Sequence, residues 1–183
     1  FHVTGVQTCA LPISPQNQNL LHPNKFQLNF SRLPNTTFFC QSVNLPGVSM
    51  GEILQSTPFI DLYRPGEKML YDTLNVTFVI DEDLKAWREV HDWIRALTFP
   101  TDFSEYRRLS QLQQSFAISD TPQYSDAAVT LLTSSNNLNF RIKLHECFPT
   151  SLSSVIFSAS DSPESVLSAD ATFRFSYFDI ETA

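Results

Sequence analysis

Four short runs in this chain alternate between apolar and polar residues, and that period limits the fold more than any other feature. Phe26, Leu28 and Phe30 are separated by Gln27 and Asn29, and Thr73 to Ile80 puts Leu74, Val76, Phe78 and Ile80 on one side. Phe140, Ile142 and Leu144 alternate with Arg141, Lys143 and His145, and Phe173, Phe175 and Tyr177 with Arg174 and Ser176. Successive side chains of a strand point to opposite faces, so each run predicts a strand with one buried face and one wet face. The 16 Phe of the chain fall largely in such runs.

The remaining strands are expected at Thr37–Val43, Ala127–Thr133 and Ser153–Ser158, and the alternating Thr172–Phe178 run closes the chain. Leu33-Pro34-Asn35, Pro46-Gly47 and the SSNNLN stretch read as turns, and Ser160–Asp170 as a loop. Residues 48–64 are extended with no clear period. Pro65-Gly66 has the chemistry of a type II turn, so 52–64 and 68–80 are expected to form a long hairpin about it. One segment has another period. Asp81-Glu82-Asp83 leads into LKAWREVHDWIRAL, where Leu84, Trp87, Val90 or His91, Ile94 and Leu97 recur at helical spacing. Acidic residues sit at its start, where the helix dipole favours them, and Pro100 follows its last turn. Trp87, Trp93 and Ile94 are the expected anchors of this helix on the sheet. A further short helical turn is expected near Glu105–Leu112. The sum is roughly seven to nine strands and one helix, which is a mainly β protein: a β-sandwich or partial barrel with one α-helix inserted. No internal repeat and no domain boundary interrupts it.

The first fourteen residues do not fit this pattern. Val3 to Ile13 (VTGVQTCALPI) back-translates, codon for codon, to a string that resembles a widely used sequencing-library adapter. Residues 1–14 are therefore expected to be a translated artefact, with 15–183 forming a single domain and native residues upstream missing. Cys9 then drops out, leaving Cys40 and Cys147, which either pair or sit as small buried apolar residues. A secretory signal reading is disfavoured, since the stretch lacks a basic start and is broken by Gln7, Thr8 and Pro12.

Charge and motif content narrow the function. The 183 residues carry a formal charge of −7, with 42% hydrophobic and only 17% charged residues. Such a composition is globular, and its acidity argues against a protein that grips a nucleic-acid backbone. No run of about 18 apolar residues is present, so no transmembrane helix is predicted. Asp81-Glu82-Asp83 could gather a divalent cation, but its place before a helical pattern reads as a helix start. His22, His91 and His145 share no metal-ligand spacing. There is no Gly-x-Ser-x-Gly and no Gly-rich phosphate loop, and a nucleic-acid platform built on Trp87 and Trp93 would want basic neighbours. No catalytic residue, cofactor or metal site is expected. Instead the outer faces of the strands are uncharged or mildly basic: Gln27, Asn29, Thr73, Asn75, Thr77, Arg141, Lys143, Thr172 and Arg174. Strands with open edges need partners, and closing a sheet across subunits removes edges while leaving one face wet.

Four segments taken in order, NKFQLNFSRLPNTTFFCQSVNLPGVSM, LYDTLNVTFVIDEDLKAWREVHDWIRALTFP, FRIKLHECFPTSLSSVIFSASDS and ADATFRFSYFDIE, resemble the tail tube proteins of contractile-tailed bacteriophages. The Leu45-Pro46 turn, the Trp87-x(5)-Trp93 helix and the strand ending at Phe148–Ser154 carry the likeness. The resemblance implies hexameric rings stacked into a hollow tube, with strands completed into a larger barrel by oligomerisation. Its partners would be copies of itself, the tail sheath and the baseplate, with genomic DNA passing through the lumen without specific binding and no membrane. The long hairpin, about residues 48–70, would reach a neighbouring subunit or ring through Glu52, Leu54, Phe59, Asp61, Tyr63, Arg64, Pro65 and Gly66. Arg141, Lys143 and Arg174 depart from a neutral lumen and are expected to be paired or to lie between subunits. The implied location is the virion tail, assembled in the host cytoplasm. Two alternatives stay open: the related baseplate protein that initiates the tube, and a secreted carbohydrate-binding β-sandwich, against which the helix insert and the polar wet face speak.

Overall fold

The computed structural model describes residues 20–98, 100, 123–158 and 166–182. The adapter-like stretch 1–14 and the helical turn expected near Glu105–Leu112 lie outside the described residues. In chain order the elements are β1 (Phe26–Phe30), α1 (Pro34–Phe38), β2 (Cys40–Val43), β3 (Val48–Ser56), β4 (Asp61–Tyr71), β5 (Leu74–Val79), α2 (Lys85–Thr98), β6 (Ser125–Leu132), β7 (Leu138–Leu152), β8 (Ser168–Arg174) and β9 (Tyr177–Thr182). The structure is mainly β and antiparallel, and its sheet is open. Strand order runs β1-β6-β7-β8-β5-β2, with β9 added to β7, while β3 and β4 form a separate two-stranded sheet.

Strand β7 is the hinge of this arrangement. Its first half, Phe140–His145, pairs with both β6 and β9, and its second half, Phe148–Leu152, pairs with β8. Glu146 between them adopts φ 57°, and its N–H donates to Asp126 Oδ1 at 3.2 Å. One extra residue in a strand reverses which side chains face inward. Accordingly Ile142 and Leu144 are buried before Glu146, and Cys147 and Pro149 after it.

The core gathers Leu28, Phe30, Leu74, Val76, Phe78 and Phe173 from the strands with Ala86, Val90, Trp93 and Ala96 from α2. Burying side chains of this size contributes about 1.5–3 kcal/mol each. The two alanines let the α2 backbone approach the sheet, so the buried stripe runs through Ala86 and Ala96 while Trp87, Ile94 and Leu97 pack against its rim. Trp93 is 1% exposed, with its ring 6.2 Å from that of Phe173 and the Arg32 guanidinium 4.9 Å over the ring centre. Trp87 stacks on His91 at 5.1 Å, and its Nε1–H donates to the Ser153 carbonyl at 3.4 Å. Asp81 starts the helix, accepting the Lys85 and Ala86 N–H groups at 3.1 Å each. Desolvation pushes this carboxyl up, but those backbone bonds and the Lys85 charge outweigh it and hold the group below the usual range.

Four local expectations are corrected. The Leu33-Pro34-Asn35 turn is the start of α1, with Pro34 in the first helical turn, where its missing N–H costs nothing. The strand expected from Thr37 therefore starts only at Cys40. What holds α1 comes from far along the chain: the Glu89 carboxylate of α2 accepts the backbone N–H of Asn35 at 3.1 Å and of Thr36 at 3.2 Å, and the Asn35 amide at 2.6 Å. Ser153–Ser158 is not a strand. Ladder pairing with β8 ends at Leu152; the Ser153 N–H still donates to the Asp170 carbonyl at 2.8 Å, but no strand register continues past it, and Ile156 and Phe157 are exposed. The closing run Thr172–Phe178 is two strands, because β8 pairs with β5 while β9 crosses to the front half of β7. Finally, the long hairpin turns at Thr57–Ile60 and not at Pro65-Gly66, and it joins β3 to β4 rather than to β5.

Candidate functional site: a projecting hairpin and open sheet edges

The hairpin is built from its turn outward. The Thr57 N–H donates to the Ile60 carbonyl at 3.2 Å and the Ile60 N–H to Thr57 Oγ1 at 3.2 Å, so Pro58 and Phe59 form the tip. Register then pairs Ser56 with Asp61, Leu54 with Tyr63, Ile53 with Arg64 and Glu52 with Pro65. Pro65 is tolerated inside a strand because both strands of a two-stranded sheet are edges, and a proline needs only a position with no ladder bond to donate. The register shifts between Met50 and Glu52. There Gly66 lies so close to Gly51 that a Cβ on it would sit 2.3 Å from the Gly51 carbonyl oxygen. The dipeptide that looks like a turn is thus a bulge within β4, fitted against a glycine of β3.

All eight residues singled out from the sequence lie on this hairpin: Glu52 and Leu54 on β3, Phe59 at the tip, and Asp61, Tyr63, Arg64, Pro65 and Gly66 on β4. Every residue of β3 is exposed, and on β4 only Gly66 and Tyr71 are partly covered. Phe59 is 99% exposed, and Met50, Ile53, Leu54, Leu62, Tyr63, Met69 and Leu70 are also open to solvent. The root is fixed where Tyr71 packs 5.6 Å from Phe175 and 5.4 Å from Phe178, and where the Asp72 N–H donates to the Gly47 carbonyl at 3.0 Å. A lone two-stranded hairpin with apolar residues on both faces is at best marginal in water, and an exposed apolar area this continuous marks a contact surface.

The sheet of the body is unfinished as well. β1 and β2 are its two ends, and an open groove of about 1060 Å³ runs between them, lined among others by Phe26, Leu28, Phe38 and Val43. The polar strand faces stay wet, with Gln27, Asn29, Asn75, Arg141 and Arg174 exposed. Lys143 pairs with Glu181 at 2.7 Å, and Arg174 donates to the Tyr71 carbonyl at 3.4 Å. Cys40 and Cys147 are both free thiols. Burial pushes Cys40 up to about 11 and Cys147 up to about 12, the latter helped by the Asp126 charge, so neither is a ready nucleophile. Among the described residues no cluster of three or more His, Cys, Asp or Glu could hold a metal, and no helix is long and apolar enough to cross a membrane.

Two features escaped sequence reasoning. The Glu89 bridge to α1 leaves no local signal, since its partners are more than fifty residues away. The distribution of charge over the two hairpin faces was hidden because it depends on the turn position, which sets the register.

An open antiparallel sheet crossed by one amphipathic helix and extended by a long hairpin is the fold of tube components from contractile injection machines. The chain superposes on the tube-terminating cap of the anti-feeding prophage with TM-score 0.62 at 15% identity, covering 93% of this chain and 96% of that one. It superposes on a chain of the sheath-tube complex of the PVC extracellular contractile injection system with TM-score 0.57 at 12% identity, covering 91% and 94%. The family model for phage tail tube proteins matches residues 15–181, and the chain belongs to that family. It is also 28% identical over 148 residues to the tail tube terminator protein of Enterobacteria phage T4, covering 79% of this chain and 78% of that protein. These relatives are structural components of tails and injection systems.

Proposed function

We propose that this chain assembles into a ring of identical copies, six by the family resemblance, and that the ring closes the end of a phage tail tube. The observation that carries ring assembly is the hairpin: two strands of apolar side chains project from a body that does not cover them. Hydrophobic surface left bare in one chain is what a neighbouring copy buries. The match over residues 15–181 supports reading this stretch as one tail-tube-like unit. Likeness to the T4 terminator over about four fifths of both chains supports the terminal position. On this reading the wet strand faces line a lumen through which genomic DNA passes without specific binding. Lys143 and Arg174 are engaged within the chain and so exert little drag on phosphates. Sheath and baseplate are the neighbours in a virion tail put together in the host cytoplasm.

A second reading, the repeating tube subunit, is favoured by the description of the matching family. One experiment separates the two. Purified chain imaged by negative-stain microscopy is expected to form rings that do not stack into long tubes, and to bind only the ends of preassembled tubes. Open-ended growth from the chain alone would favour the repeating subunit. A monodisperse monomer at high concentration would overturn both.

A further inference from the structure

The hairpin residues are sorted by charge. Cross-strand partners share a face, so Glu52 with Pro65, Leu54 with Tyr63 and Ser56 with Asp61 stand on one side, and Ile53 with Arg64 and Gln55 with Leu62 on the other. Alternation next to the Met50–Met69 pair puts Lys68 on the side of Arg64. One face therefore carries Glu52 and Asp61 beside Leu54 and Tyr63, with no basic residue. The other carries Arg64 and Lys68 beside Ile53 and Leu62, with no acidic one. Gly66, Glu67 and Lys68 are the bulged residues opposite Gly51, and since Pro65 and Met69 stand on one side, alternation between them puts Glu67 on the acidic face.

Glu52, Asp61, Arg64 and Lys68 are exposed, and among the described residues their side chains make no ion pair or hydrogen bond, unlike Lys143, Lys85 and Glu89. A sheet face whose charges are all of one sign repels a copy of itself and attracts its opposite.

Resting on the ring reading above, we propose that the hairpin is a two-sided connector whose partner is the hairpin of a second copy. The acidic face of one hairpin seats on the basic face of the next. Apolar side chains on both faces supply the buried area, and the charges decide which face meets which. Acidic-to-acidic pairing, the only way to form a symmetric hairpin dimer on that face, sets Glu52 and Asp61 against their own copies and is excluded. The contact is head-to-tail, the kind that closes into a ring when the rotation between copies allows it.

The test uses two charge-reversed versions of the full chain. E52K/D61K makes both hairpin faces basic, and R64E/K68E makes both acidic. All four side chains lie outside the core, so each variant is expected to keep the native circular dichroism spectrum. Each alone is expected to stay monomeric under conditions where the unaltered chain forms rings, and an equimolar mixture is expected to recover rings in which the two alternate. Rings from either variant alone, or no recovery on mixing, would overturn the face-to-face proposal while leaving the ring reading intact. Failure of the unaltered chain to form rings would overturn the ring reading and this proposal with it.

Discussion

Strand β5 of the body and strand β3 of the hairpin draw on similar residues and end in opposite environments. In β5, LNVTFV buries Leu74, Val76 and Phe78 completely while Asn75 faces solvent. In β3, VSMGEILQS is exposed from end to end. The body solves its burial problem within one chain: sheet and α2 close over Trp93 and Phe173, and its buried hydroxyl Thr36 donates to the Ala86 carbonyl at 3.1 Å. The hairpin leaves the same problem unsolved on both faces. A period of two appears in a sequence where one face meets a core of the same chain. Where both faces are exposed, the period fades even though the strand is longer.

The sharpest way to break this contrast is to remove one side of it. Replacing residues 52–66 with a two-residue turn is expected to abolish ring formation entirely and to leave the thermal midpoint of the body within a few degrees of the parent, measured by calorimetry and microscopy together. Normal rings from that variant would end the role given to the hairpin. Next in size is Trp93→Ala, which empties the largest fully buried side chain among the described residues. A loss of about 3–5 kcal/mol is expected in chemical denaturation, by the usual cost of a buried Trp→Ala change. A loss below 1 kcal/mol would mean that α2 does not seal the core. Smaller again is Glu89→Ala, which strips α1 of the carboxylate that accepts its first N–H groups. The expected cost is about 1–2 kcal/mol, with fast hydrogen exchange confined to residues 34–38. A global change in exchange would place Glu89 in a wider role than a cap.

The sequence reveals the body far better than its connections. The alternating runs, the amphipathic helix and the mainly β class are all readable because each arises from side chains a few residues apart. The hairpin turn was misread because Pro65-Gly66 has turn chemistry but sits opposite Gly51, where the same residues accommodate a bulge. Local chemistry favours Pro65-Gly66 over Pro58-Phe59 as the turn, and only the cross-strand register reverses that choice. α1 escaped notice because its cap is Glu89, on a distant helix. The split of Thr172–Phe178 into β8 and β9 was invisible for a related reason: Phe173, Phe175 and Tyr177 keep one period in the sequence while the chain passes from β8, which ends at Arg174, to β9, which starts at Tyr177. As for the site, the eight hairpin residues were grouped through resemblance to a family and not through chemistry. The charge sorting of its faces became legible only once the register was known.

Hydrogen exchange read by mass spectrometry, on the dilute monomer and on the assembled ring, tests most directly whether the body is finished alone and the hairpin is finished by a neighbour. The expected result is slow exchange in β5–β8 and α2 in both states, with residues 48–71 exchanging fast in the monomer and becoming protected in the ring. A hairpin as protected as the body in the isolated monomer, or one whose exchange does not change on assembly, would contradict it.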